Sequence, residues 1–323
     1  MNVVYLDSTG WIDLYKEYKQ GEISDEDIEK LVESDNIFPL SYVALEELNR
    51  LDTEEQREER LEFIYRISQG KGFAPKMFIE DAEIKSALMD YSIDYPDISS
   101  DFMRKVALGE GVPFILAGPN YGIKGSEVLP DRTRKALMEK VEGKESFKLY
   151  KDEDIAKHAK DKSILEEYAE DITEQLQREK EEFPDNDYRL RVKHARFFFE
   201  QTNYRVFKFC KELGIDFRDI IPKALDGDEE AMGKAFKPFI KDVPSFYTHA
   251  QLSNLRDVHE NEADVNDAYD IISLAVAIPY SDVVYTEDEW RHRAKNVVGL
   301  HEIYDTKIIS DWQRLKEEID LDS

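Results

Sequence analysis

Cysteine is nearly absent: Cys210 stands alone in 323 residues. That excludes an internal disulfide framework and a zinc site built on several thiolates. Basic residues are scarce beside acids, 44 Lys and Arg against 71 Asp and Glu, for a formal charge of -27. A field of that sign repels nucleic acid at long range, because phosphate affinity comes largely from Lys and Arg displacing counterions. A nucleic-acid role therefore needs a local basic surface, metal ions or high salt. The acids are spread along the chain, which fits a saline habitat as well as it fits a function. No segment approaches the roughly 20 apolar residues of a membrane-spanning helix. The opening MNVVYLDSTGW has no basic stretch followed by a long apolar run. The expectation is a soluble, cytoplasmic protein with no membrane partner.

What is present is enough for a large core. Hydrophobic residues make up 41% and aromatics 11%, which excludes global disorder, and the length suits one large domain or two ordinary ones. Val3 to Leu6 form a β-branched and aromatic run that stops at Asp7, the pattern of a buried strand. Helices follow over 11–19 and 24–33, then a brief strand at Ile37-Phe38 and a helix from Ser41 with Val43, Leu45 and Leu48 inward. From about 51 to 257 nearly everything reads as helix: 51–69, 80–92, 99–108, 130–142, 187–213, 228–239, and 163–182 with its capping box Ser163/Glu166. Loops are expected at SQGKGFAPK, LGEGVPFILAGPNYGIKGSEVLP and EFPDND. After Pro244 the alternation returns, with helices 245–257 and 267–279, strand DVVYT, helix 289–294, strand NVVGL and a helix over 309–319. The economical reading is an α/β domain whose parallel sheet is assembled from both chain ends, 1–70 plus 243–323, around a mostly α-helical insertion at 71–242.

In open parallel sheets, ligands sit at the carboxyl ends of the strands. Asp7 ends the first strand, and Thr286, Glu287 and Asp288 end DVVYT. Asp267 and Asp270 are three apart and share a helix face, and Glu47 lies on the helix after the second strand. Carboxylates brought together repel one another, and a divalent cation is the usual remedy. Each acid also has a plain structural reading. Asp7 with Ser8 and Thr9 suits a helix cap, Asn266-Asp267 suits another, and Glu46 and Glu47 suit a solvent face.

Taken together, VVYLDST, SYVALEEL, DIISLAVA and VVYTED resemble the PIN-domain nucleases. In that pattern an Asp closes the first strand, a Glu lies six residues after a Ser or Thr, an Asp opens an apolar helix, and TxD follows the next strand. The segment NDAYDIISLAVAIPYSDVVYTED also resembles a bacterial PIN-like group with NDxxDIxxLAVAxPYxDVVxTE. The resemblance covers roughly 1–70 and 243–305. It implies a Rossmann-like parallel sheet and a Mg²⁺- or Mn²⁺-dependent nuclease, with RNA as substrate more often than DNA. Asp7, Glu47, Asp270 and Asp288 would be catalytic. The metal would be held among Asp7, Asp270, Asp288, Asp267 and Glu287, the final acid being either Glu287 or Asp288. Ser8 and Thr286 would orient the carboxylates.

One segment is locally basic, YRLRVKHARFFFEQTNYRVFKFCK, and offers Arg189, Arg191, Lys193 and Arg196 as RNA contacts beside aromatic residues. The same segment reads better as an amphipathic helix whose aromatics are core and whose cations pair with the neighbouring EQLQREKEE. A reading of another class is a catalytically silent scaffold whose helical insertion binds a protein partner or inhibitor.

Overall fold

The computed structural model describes residues 2–49, 53–90, 100–118, 173–174, 176–216, 239–259 and 265–321. In chain order the described elements begin β1 (Asn2–Leu6), α1 (Ser8–Gln20), α2 (Asp25–Glu33), β2 (Asn36–Ile37), α3 (Tyr42–Asn49) and α4 (Glu54–Ser68). Then come β3 (Lys71–Phe73), α5 (Lys76–Asp90), α6 (Ser100–Ala107), β4 (Leu108–Glu110), α7 (Val112–Ala117), α8 (Asn186–Leu213), α9 (Pro244–His259) and α10 (Val265–Tyr280). The last are β5 (Val283–Tyr285), α11 (Asp288–Arg291), a π-helical stretch His292–Val298, α12 (Leu300–Tyr304), β6 (Lys307–Ile309) and α13 (Trp312–Glu318). No described helix is long and apolar enough to cross a membrane.

The chain forms two compact units, one of Met1–Pro75, Lys105–Asp161 and Tyr280–Ser323, the other of Lys76–Arg104 and Lys162–Pro279. This partition differs from the expected 1–70 plus 243–323 in two ways. Residues 243–279, including α9 and nearly all of α10, go with the helical unit, and β4 and α7 return to the sheet unit.

The first unit is built on a four-stranded sheet in the order β2-β1-β5-β6, parallel throughout. Val3, Val4, Tyr5 and Leu6 are buried, and β5 is buried along its length, as expected of strands covered on both faces. Val4 pairs with Val283 and Leu6 with Tyr285, so early and late parts of the chain share one register. The core gathers Leu6, Trp11, Leu14, Phe38, Phe63, Ile115, Tyr285 and Ile309. Gly10 lets α1 lie close on the sheet, since a Cβ there would stand 2.7 Å from Tyr285 Cδ1 and 3.2 Å from Leu6 Cβ.

Two expectations of loop fail. SQGKGFAPK contains β3, and LGEGVPFILAGPNYGIKGSEVLP contains β4 and α7 in its first ten residues, its part from 119 on lying outside the described residues; β3 and β4 pair antiparallel. Their glycines hid the strands from a propensity reading, yet Gly72 is where the backbone passes Leu40 O and Ile115, too close for any side chain. NVVGL is not a strand either. Asn296 to Val298 finish the π-helical stretch, Gly299 turns at φ 76°, and the edge strand is Lys307–Ile309. Val297 is 52% exposed, so this pair of valines does not enter a sheet core. The expected helix 130–142, the expected helix 228–239 up to residue 238, and residues 163–172 and 175 of the expected helix 163–182 lie outside the described residues.

In the second unit α5, α8 and α9 pack on one another. Glu83 of α5 is buried and closes the amino end of α9, accepting from Ser245 N at 3.0 Å on both carboxylate oxygens and from Ser245 Oγ at 2.6 Å. A carboxylate is favoured there because the first turn of a helix leaves N–H groups unsatisfied.

Candidate functional site

The strand order reverses about β1, which has β2 on one side and β5 on the other. The crevice of such a sheet opens at the carboxyl ends of the two strands where the order reverses. Those ends are Asp7 and Thr286-Glu287. Backbone pairing holds them together, with Asp7 N donating to Tyr285 O at 3.1 Å, and Thr286 N in turn donates to Ile309 O of β6 at 3.0 Å.

Asp7 is only 8% exposed. Its Oδ1 accepts from Gly10 N at 2.8 Å, which caps α1, and its Oδ2 accepts from Glu287 N at 3.2 Å. Burial pushes its carboxyl up to about 6, against the hydrogen bonds from Gly10, Thr286 and the Glu287 backbone, and the Glu287 charge pushes the same way as burial. The helix-cap reading of Asp7 is thus true, and it does not exhaust the residue. One oxygen caps the helix, while the carboxylate as a whole sits buried beside a second acid. Thr286 is buried, and its side chain hydrogen-bonds to Asp7. Ser8 opens α1 and lines a cavity beside the edge.

Glu287 and Asp288 part company. Thr9 Oγ1 donates to Glu287 Oε1 at 3.1 Å, so Glu287 turns toward α1 and the Asp7 side of the crevice. Asp288 is 78% exposed and pairs with Arg291 at 2.6 Å, while Ser310 Oγ donates to it at 3.0 Å. The Arg291 contact, then Ser310, holds its carboxyl below the ordinary value. Of the two candidate final acids, Glu287 is the one placed with Asp7.

Further acid surrounds the same edge. The Tyr285 hydroxyl donates to Asp13 Oδ2 at 3.4 Å, and burial, then the charges of Asp13 and Asp7, raise its pKa. Asp13 carried no signal in the sequence reading, because on α1 it looks like any outward acid.

Glu47 is half-buried on α3 and lines the cavity that Ser8 and Thr9 also line. Glu46, expected on the solvent face, is instead 7% exposed, since four consecutive residues of this short helix, Val43 to Glu46, face inward. Asp267 and Asp270 belong to the second unit, where both are partly exposed in the first turns of α10, ahead of buried Ile271, Leu274 and Ala275. The helix starts at Val265, so Asp267 stands inside its first turn rather than at its cap. Among the described residues, no group of three or more His, Cys, Asp or Glu side chains is arranged to hold a metal ion.

The basic segment forms α8, and its cations divide. Arg189 is 4% exposed and donates to Phe183 O, Val258 O and Asn186 Oδ1. Lys193 pairs with Glu179 at 2.5 Å and with Asp257 at 3.2 Å. Both serve the helical unit, and Glu179 comes from the acid-rich neighbour that the amphipathic reading named. Arg191 is exposed, its guanidinium 5.7 Å from the Tyr188 ring centre. The side chain of Arg196 lies outside the described residues.

Comparison with family models, with curated proteins and with solved structures gives no match to this chain.

Proposed function

We propose that the chain is a Mg²⁺- or Mn²⁺-dependent ribonuclease of PIN-like kind whose chemistry is centred on Asp7 and Glu287. The observation that carries this reading is the buried Asp7 carboxylate at the strand-order reversal, with a charge of its own sign beside it. A protein holds such an unfavourable charge in place when a cation offsets it. The donor set fits, since Mg²⁺ keeps several waters and takes one or two carboxylates together with substrate phosphate.

A bound ion would supply Lewis-acid polarisation of the phosphodiester and acidify water for attack. The chain's own residues supply order. Gly10 N–H, Thr286 and the Glu287 N–H fix both oxygens of Asp7, and Thr9 fixes Glu287. Carboxylates locked in this way cost little further entropy when a ligand arrives. Asp270, which the sequence resemblance also names, belongs to the second unit.

The test is cleavage of labelled single-stranded RNA in Mn²⁺ by the wild type beside Asp7→Asn, Glu287→Gln and Asp270→Asn. Loss of cleavage in the first two supports the reading, and loss in the third extends the ligand set to α10. Cleavage that survives Asp7→Asn refutes it.

A silent scaffold is the second reading. It is favoured by the absence of a three-carboxylate group among the described residues and by Tyr204 and Phe207 on α8, 77% and 59% exposed. Exposed aromatics of this kind suit a protein partner. Mn²⁺ titration separates the two, because only the nuclease reading couples ion binding to Asp7.

A further inference from the structure

Residues 291–316 are a basic island in an acidic chain, with six Lys and Arg against three Asp and Glu where the whole chain has 44 against 71. Four of the six cations have a carboxylate partner: Arg291 with Asp288, Arg293 with Glu289, Lys307 with Glu318 and Lys316 with Glu17. Half-buried Lys295 and exposed Arg314 are the other two, and no described carboxylate pairs with either side chain. They stand on different elements, the π-helical stretch and α13, yet the fold of the first unit brings them to the same place. Both line a cavity of about 250 Å³ at the carboxyl end of β6, together with Arg291 and Ser310. Both also line a second, of about 410 Å³, that runs along the same strand past Lys307 to Thr306. Two like charges that border one space repel each other, and an anion between them offsets the repulsion.

We infer that Lys295 and Arg314 hold a phosphate group of dianionic charge at this edge of the sheet. The charges match, since a phosphate monoester carries close to two negative charges above neutral pH, whereas a carboxylate would answer only one of the two cations. The size matches as well. At 250 Å³ the cavity falls below the roughly 300 Å³ at which small-molecule pockets begin, so it takes an ionic head group and leaves the rest of the molecule to the adjoining space. Arg offers a planar fork for two phosphate oxygens, and Lys a mobile point charge. The place is the one where open parallel sheets gather ligands, because Ser310 directly follows β6.

The acids nearby are engaged elsewhere. Asp288 is held by Arg291 and by Ser310 Oγ, and Asp311 accepts from the Arg314 backbone N–H at 2.9 Å as the cap of α13. In the second cavity Asp282 accepts from Val3 N at 2.6 Å and Glu318 pairs with Lys307. Asp305, the remaining acid, lines that second cavity only. The site holds one phosphate and is not a path for a strand. It borders the crevice, since Asp288 follows Glu287 and β6 runs beside β5. That the phosphate is the end of an RNA strand rests on the nuclease reading; the site itself does not.

The experiment is calorimetric titration of the full chain at pH 8 in EDTA, so that no metal ion takes part. The probes are inorganic phosphate, acetate, and a uridine trinucleotide with and without a 5′-phosphate. Phosphate should bind at least roughly tenfold tighter than acetate, and Lys295→Gln and Arg314→Gln should each weaken it roughly tenfold or more. The urea midpoint should be retained in both, because neither side chain has an ion-pair partner to lose. Lys105→Gln, at an exposed lysine of the same unit outside both cavities, should leave binding unchanged. No phosphate binding, phosphate no tighter than acetate, or an equal loss in Lys105→Gln overturns the inference. So does equal affinity for the trinucleotide with and without its 5′-phosphate. With the site upheld, a phosphorylated trinucleotide tighter than inorganic phosphate identifies an RNA end as the source, and a weaker one identifies a free phosphorylated molecule. RNA cleavage in Mn²⁺ without phosphate binding sinks the phosphate site alone, and phosphate binding in EDTA without cleavage in any metal sinks the nuclease reading alone.

Discussion

Replacing Asp7 by Asn should stabilise the protein at pH 8, although Asp7 is the residue on which the proposed chemistry depends. Its carboxyl is pushed from an ordinary 3.8 up to about 6, chiefly by burial. Keeping it charged therefore costs on the order of 3 kcal/mol relative to the unfolded chain. The folded-state value lies above the unfolded one, so stability is greatest with the group protonated and falls as pH rises from about 4 through about 6. Above about pH 7 the wild type bears the full penalty. Asn removes the charge and retains an oxygen for Gly10 N–H, which makes it as good a cap as Asp. It also turns the second oxygen, which now accepts from Glu287 N, into an NH₂ group, at about 1 kcal/mol. The net gain at pH 8 is about 2 kcal/mol, and it should shrink by about 1 kcal/mol at pH 5, where much of the wild-type penalty has titrated away. Urea midpoints of both proteins at pH 5 and pH 8, both above the sequence pI of 4.7, measure this directly. A variant less stable than the wild type at pH 8, or a gap equal at both pH values, would refute the argument that burial charges a price at this site. Mn²⁺ should raise the wild-type midpoint at pH 8 and leave that of Asp7→Asn unmoved.

Gly10→Ala should destabilise the first unit by roughly 1–3 kcal/mol in urea titration. The helix-propensity gain of about 1 kcal/mol is smaller than the cost of a Cβ 2.7 Å from Tyr285, and a stabilised variant would show that α1 can lift off the sheet. Glu83→Gln should cost about 1–2 kcal/mol, because it weakens the charge-assisted bonds to Ser245 at the head of α9; hydrogen exchange at the α9 amides is the readout. If RNA is the substrate, the formal charge of -27 should reverse the usual salt response. KM should hold level or fall as ionic strength rises through about 0.1 M, where repulsion is increasingly screened, and a steep rise in KM would reveal a cationic RNA path. Arg189→Ala should lower the thermal midpoint with no selective effect on RNA affinity, since its guanidinium bonds Phe183 O, Val258 O and Asn186.

The parts of the fold that the sequence displayed are those governed by local pattern. Val3 to Leu6 announces a buried strand and DVVYT another. What stayed hidden depends on partners far along the chain. Lys71–Phe73 is a strand because Leu108–Glu110 pairs with it, and nothing in KGF says so by itself. Lys307–Ile309 is likewise a three-residue edge that only its alignment with β5 defines. At the site, Asp7 and Thr286 were legible from their position after strands. The choice between Glu287 and Asp288 was not, because it turns on a hydroxyl at Thr9 and a guanidinium at Arg291 that compete for neighbouring side chains. Lys193 looked like a phosphate contact only because Glu179 and Asp257 are remote in sequence.

The pairing of β1 with β5 also sets a clock. Val3 N donates to Asp282 Oδ2 across a sequence separation of 279 residues. At about 5–20 residues per second of synthesis, β1 waits on the order of tens of seconds for the strand that completes its sheet. Asp7 meets Glu287 only then. Helices of the second unit are made within that interval, while the crevice does not exist. Whatever chemistry the crevice carries, a nascent chain of this protein lacks it until nearly all of the sequence has left the ribosome.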